Sequence, residues 1–146
     1  MNISLGKLIM QTGVGILALL FSFSGAAKVL WCHYFERALR QYPVALSPVM
    51  IKAIIVLLPV LEVFLAVLVC TKKCRVIALY SMLFLLVAFT TLQIKVKALG
   101  LDMPCGCLGK LSQPIGYITI IANCLIIVIV LSVIAITTHM EKERGK

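Results

Sequence analysis

The sequence predicts an all-α membrane protein, a four-transmembrane-helix bundle with a short interfacial helix between spans 1 and 2. Three observations predict it. Of 146 residues, 62% are hydrophobic and only 13% charged, against roughly 45–50% and 25% in an ordinary soluble domain. A mean hydropathy of +1.13 puts more apolar surface on so short a chain than its own core can hide, so lipid is the solvent for much of it. Four apolar runs, Leu8–Ala27, Ala53–Thr71, Val76–Ile94 and Ile115–Ile136, carry a single charged residue between them, Glu62. At 1.5 Å per residue, about 20 residues cross a hydrocarbon core of roughly 30 Å. Backbone polar groups in lipid must pair within their own segment, which makes each run a helix. With flanking residues the spans are expected at about 8–30, 50–71, 76–96 and 114–137, forming one integral membrane domain over 1–146. A soluble single-domain enzyme is excluded.

The first run follows Lys7 and ends near Ser24-Gly25-Ala26, features a cleaved signal peptide shares. Its apolar stretch is longer than the 7–15 residues of a signal-peptide core, which favours a permanent span. Ala18, Ser22 and Ala26, four residues apart, form a small-residue ridge suited to close helix approach. In the first connection Phe35, Ala38, Leu39 and Tyr42 recur at helical spacing, with Glu36, Arg37, Arg40 and Gln41 opposite them. That pattern predicts a helix lying at the membrane interface, with Trp31 and Tyr34 at headgroup level and Pro43 and Pro48 ending it. Pro59 should bend the second span and free carbonyls close to Glu62. Spans 2 and 3 are joined by the short turn Lys72–Arg75, and the third connection runs from Lys95 to Pro114.

The formal charge of +9 sits in clusters between apolar runs, which reads as membrane topology and not as a nucleic-acid footprint. With the N-terminus inside, the cytoplasmic side holds Lys7, Lys72, Lys73, Arg75, Lys142, Arg144 and Lys146. The other side holds Arg37, Arg40, Lys95, Lys97 and Lys110, with Lys28 and Lys52 at span ends. Three cations in the Lys72–Arg75 turn favour the cytoplasm for that turn and for both termini. The first and third connections then face outward.

The chemistry-bearing residues concentrate in the third connection, which contains Pro104-Cys105-Gly106-Cys107-Leu108-Gly109-Lys110. Two cysteines separated by one glycine can close a small, strained and therefore readily reduced disulfide, since Gly106 accepts the backbone angles such a ring imposes. Pro104 fixes the approach, Gly109 keeps the turn open, and Lys110 favours a thiolate. Catalytic roles therefore fall to Cys105 and Cys107, against the alternative of two unrelated loop thiols. Cys32, on the same side, is a candidate relay thiol or a simple boundary cysteine. A zinc site would need two further ligands, and only Cys32 and His33 share that side; no metal is expected. Glu62 cannot sit ionised and alone in hydrocarbon and needs a partner or a proton. Lys28 forms an intramembrane polar pair with it if the first helix continues past Lys28. Such a pair either locks two helices or handles protons. Asn123 is available to bridge helices, and Cys124 is either packing or a side chain facing a quinone bound in the bundle.

In chain order stand Phe23-Ser24-Gly25-x-x-Lys28, then Phe35, Leu39 and Tyr42, then Leu58-Pro59-x-x-Glu62, then Cys105-Gly106-Cys107-Leu108-Gly109. Taken together with four spans, these resemble the methylamine utilisation protein MauE family, a branch of the DoxX-like four-span membrane proteins. The resemblance runs from about Leu8 into the fourth span, with Leu108 standing where the family commonly has phenylalanine. It implies a bacterial cytoplasmic (inner) membrane protein. It further implies a component of a membrane thiol-disulfide oxidoreductase that supports disulfide maturation of an extracytoplasmic client, methylamine dehydrogenase in the family. A thioredoxin-like periplasmic partner goes with that role. Quinone is the cofactor suggested by analogy with vitamin K epoxide reductase and the bacterial disulfide-forming membrane proteins, whose Cys-x-x-Cys this chain lacks. Two other classes stay open: a thiol-based soft-metal transporter using Cys32, Cys105, Cys107 and Cys124, and a non-catalytic assembly subunit whose cysteine pair staples a loop.

Overall fold

A computed structural model of the protein describes residues 3–42, 47–101 and 116–144, with side chains for 6–42, 47–101 and 116–140. The described residues form five helices: α1 (Ile3–Leu30), α2 (Cys32–Gln41), α3 (Pro48–Cys70), α4 (Arg75–Ala98) and α5 (Tyr117–Arg144). Four of them are long and apolar enough to cross a membrane, over Gly6–Leu30, Pro48–Cys70, Arg75–Ala98 and Tyr117–Met140. The protein is an all-α, four-span, multi-pass membrane protein.

Local chemistry sets the helix ends. The Ser47 hydroxyl accepts the Met50 N–H at 3.3 Å and Pro48 occupies the first turn of α3, so Pro48 opens the second span where it was expected to close the interfacial helix. At the far end of α3 the Thr71 hydroxyl and N–H both donate to the Leu68 carbonyl. Arg75 then donates from Nε to the Val69 carbonyl at 3.1 Å and from a guanidinium nitrogen to Met10 Sδ at 3.6 Å, tying the α3–α4 turn to α1. Helix α4 ends in a Schellman motif: Leu101 N–H bonds the Val96 carbonyl and Gly100 N–H the Lys97 carbonyl, with Gly100 at φ +67°.

Around the bundle the order is α1, α3, α4, α5, with α1 packing most extensively on α3 and α4 on α5, while the backbones across each diagonal stay apart among the described residues and only long side chains reach over. Helix α2 packs on α3 and α1 through buried Phe35 and Ala38, and its charged side, with the Glu36–Arg40 pair at 2.7 Å, faces out. Tyr42, at the end of α2, is buried beside them, and burial pushes its phenol above the ordinary tyrosine range.

Small residues bring two helices together, but only part of the expected ridge takes part: Ala18 packs against the core, Ser22 is half-buried and Ala26 is exposed, while Gly25 faces α3. A Cβ built at Gly25 would stand 2.8 Å from Val63 Cγ2 and 3.0 Å from the Pro59 carbonyl oxygen, so only glycine permits this approach. Gly13 does the same against α5, where a Cβ would meet Val133 Cγ2 at 2.5 Å.

The interior is divided along its length. Towards the N-terminal end of α1, a dry cluster joins Val14, Leu17 and Phe21 to Leu65, Ala66 and Val69, to Ala78, Leu79 and Met82, and to Val130, Val133 and Ile134. Towards the end where α2 lies, α4 finishes and α5 begins, the interior is polar: Lys28, Glu62, Thr90 and Gln93 are buried there. The outward-facing Leu, Ile, Val and Phe side chains of all four spans, such as Leu19, Leu57, Phe84 and Ile118, form the lipid-facing surface.

Candidate functional site

Helix α1 runs unbroken to Leu30, and this length carries Lys28 to the side of α3. Its ammonium meets Glu62 Oε1 and Oε2 at 2.7 Å each and donates to Ser24 Oγ at 2.6 Å. Lys28 is 1% exposed and Glu62 6%, so the pair is buried within the bundle. The three ammonium protons are thereby all committed, and both carboxylate oxygens are occupied, which is what a low-dielectric site requires of a buried pair. The ammonium also lies 5.8 Å from the Phe35 ring centroid and 5.6 Å from that of Phe89. Such distances are within cation–π range. One side chain of α1 thus gathers α2, α3 and α4.

A second polar contact closes the ring of helices: Asn123 Nδ2 on α5 donates to Gln93 Oε1 on α4 at 3.0 Å, and Gln93 is fully buried. Near it, Lys97 lies 5.6 Å from the Tyr117 ring centroid, holding the end of α4 against the start of α5. Among the described residues no buried side-chain nitrogen or oxygen is left without a partner.

These polar groups border a cavity of about 260 Å³ to which all four spans contribute: Leu20, Phe21, Ser24 and Lys28 from α1, Glu62 from α3, Leu85, Leu86 and Phe89 from α4, and Thr119, Ala122, Asn123 and Ile126 from α5. Its walls are mostly apolar, with polar atoms from only a few side chains.

The remaining expected site residues fall in different places. Pro104, Cys105, Gly106, Cys107 and Gly109 lie outside the described residues. The chain leaves the bundle at Leu101 and returns at Gly116, at the same end as α2 and the Lys28–Glu62 pair. Cys32, half-buried, begins α2 at that end. Cys70 and Cys74 flank the turn at the opposite end, and Cys124 is exposed on α5. Cys124 does not line the cavity, although its neighbour Asn123 does. No three His, Cys, Asp or Glu side chains gather to hold a metal among the described residues.

Sequence reasoning did not single out Gln93, Phe89 or Thr119. A glutamine within an uncharged, mostly apolar span is the available signal for Gln93, and its partner is Asn123, which the sequence offers as a group available to bridge helices. Ser24 was read as part of a motif, and its role as a ligand of the Lys28 ammonium follows from helical spacing, since it stands four residues before Lys28.

A model of the methylamine utilisation protein MauE family matches residues 6–136. The match extends from α1 into α5 and takes in Lys28, Glu62 and the connection bearing Cys105 and Cys107. Neither the curated proteins nor the solved structures gave a match to the chain.

Proposed function

The chain belongs to the methylamine utilisation protein MauE family, and from that premise we propose that it is a membrane thiol–disulfide exchange component serving disulfide maturation of an extracytoplasmic client. The observation that carries this reading is the Cys105-Gly106-Cys107 sequence on a connection joined to α4 and α5 at the polar end of the bundle. A thiolate of a thioredoxin-like partner or client attacks one sulfur of the Cys105–Cys107 disulfide. A mixed disulfide forms and the other cysteine leaves as a thiolate. The partner's second thiol then attacks the mixed disulfide, so that the partner ends as a disulfide and this chain as a dithiol. Two electrons and two protons pass in all, and no atom is lost. In this reading Pro104, Gly106 and Gly109 shape the turn, Cys32 is a relay thiol from the start of α2, and the Lys28–Glu62 pair holds the helices that present the loop.

The positive charges support a cytoplasmic (inner) membrane setting with both termini inside and the Cys105–Cys107 connection outside. Lys28, which sequence counting leaves ambiguous, is buried against Glu62 and does not count as a loop charge.

The test is trapping of free thiols in intact cells with a membrane-impermeant alkylating reagent. Cys105 and Cys107 are expected to react from outside only after mild reductant, and to re-oxidise on its removal. Cys105→Ser and Cys107→Ser should insert normally and abolish client oxidation. Normal client oxidation in both variants overturns the proposal. Thiols that are free from the start favour metal handling instead, and a bond that resists mild reductant leaves a structural staple.

A further inference from the structure

We propose that the cavity enclosed by the four spans is a binding site for an uncharged, lipid-soluble aromatic carbonyl compound of one or two rings, a quinone-class molecule, entering sideways from the bilayer between α1 and α5.

Size comes first. About 260 Å³ is well above the roughly 150 Å³ of an apolar cavity that takes up benzene, and sits just below the usual range of small-molecule pockets, about 300–1,000 Å³. A ring system fits, whereas a folded acyl chain leaves the polar wall unused.

Charge comes second. The charged side chains on the cavity are Lys28 and Glu62, and they neutralise each other with every ammonium proton engaged. A charged ligand would find no counter-charge in a low-dielectric site, so the occupant is neutral.

The polar wall then sets the chemistry. Asn123 uses one amide N–H on Gln93. Its second N–H and its carbonyl have no partner among the described residues, and the side chain lines the cavity, half-buried, well inside the fourth span. An amide N–H in an apolar setting gains most from a carbonyl oxygen. Phe21 and Phe89 are among the lining side chains, which suits an aromatic body.

Access is lateral. Helices α1 and α5 close tightly at Gly13 and Val133. Further towards Lys28 the cavity is lined from the same two helices by Leu20, 41% exposed, and by exposed Ala122. Below it the dry Leu17–Val130 cluster is packed, so the route leads to lipid and not through the bundle.

Binding requires neither cysteine and stands apart from the thiol reading. A coupling between the two does rest on that reading: reduction of such a quinone to its hydroquinone takes up the two electrons and two protons released when the Cys105–Cys107 dithiol closes to a disulfide.

The experiment uses the full chain in lipid nanodiscs, titrated with menadione. Trp31 is the single tryptophan and lies three residues beyond Lys28, so its fluorescence reports binding. Saturable quenching is expected, with a matching rise in the unfolding midpoint. Ala122→Phe, which fills the lipid-side mouth, should weaken binding roughly tenfold or more. Asn123→Leu should weaken it while leaving helical content unchanged by circular dichroism, and the Cys105→Ser/Cys107→Ser double variant should bind like the parent chain. Quenching that never saturates, or that is the same in the parent and in Ala122→Phe, means simple partitioning into lipid and overturns the proposal. Binding with thiols that do not cycle overturns the thiol reading alone, and cycling thiols without binding overturn the cavity assignment alone.

Discussion

A lysine and a glutamate placed 34 positions apart in the chain meet at 2.7 Å inside the hydrocarbon region, and the neighbours of each explain why this is tolerated. Ser24 and the two carboxylate oxygens satisfy all three ammonium protons, and the Phe35 and Phe89 rings cover the cation. Removing one partner should leave an uncompensated buried charge and cost about 3–5 kcal/mol, whereas replacing both with apolar residues of similar size should cost far less. Lys28→Met and Glu62→Leu are therefore expected to be strongly destabilising singly and much milder together, as read from thermal unfolding in detergent. Effects that simply add would mean the pair is not a coupled unit. The pair was half legible in the sequence. Glu62 demanded a partner on cost alone, and Lys28 at the outer end of the first span was the best candidate, but whether they met depended on where the first helix stopped.

At the scale of the elements, α1 and α3 form the main seam, and Gly25 decides how closely they run. Without a hydrophobic drive between helices in lipid, association rests on close packing and on polar contacts such as this pair. Gly25→Ala places a methyl group against the Pro59 carbonyl and Val63, so the helices must part. The expected cost is about 1–3 kcal/mol, with loss of the Lys28–Glu62 geometry. Gly15→Ala, whose Cβ would meet nothing within 4 Å, is the control and should be neutral or slightly stabilising. A Gly25→Ala protein as stable as Gly15→Ala would refute the seam. Here the sequence pointed one residue away, to Ala18, Ser22 and Ala26. Small-residue spacing identifies a ridge on an isolated helix, but the rotation of that helix in the bundle was set by burying Lys28, Val14, Leu17 and Phe21.

For the molecule as a whole, the division into a dry half and a polar half gives it direction. The end with α2, Leu101 and Gly116 carries buried Lys28, Glu62, Thr90 and Gln93, and the opposite end carries Lys7, the Lys72–Arg75 turn and the close of α5, where the buried polar side chain is Thr137, bonded to its own helix. The charge distribution predicts the second end to be cytoplasmic. In a variant lacking the native cysteines, Gln41→Cys, on an exposed position of α2, should react with an impermeant maleimide added to cells. Lys73→Cys, in the opposite turn, should react only after permeabilisation. The reverse pattern would invert the topology and place Cys105 and Cys107 in the reducing cytoplasm, against an oxidative role.

Composition and the lengths of the apolar runs by themselves determined that this is a four-span helical membrane protein, because hydrocarbon admits few backbone solutions and demands about 20 apolar residues for each. Periodicity likewise determined that Phe35 and Ala38 share the buried side of α2, with Leu39 half-buried beside them and Tyr42 buried just past its end. Only the tertiary structure decided that Lys28 reaches Glu62, that Gln93 is Asn123's partner, that Gly25 forms the seam, and that a cavity lies among them. Those outcomes depend on helix rotation, depth and crossing. Lipid sets none of the three, since one apolar face is as soluble in it as another, and they are settled by which polar groups must find each other and where backbones can touch.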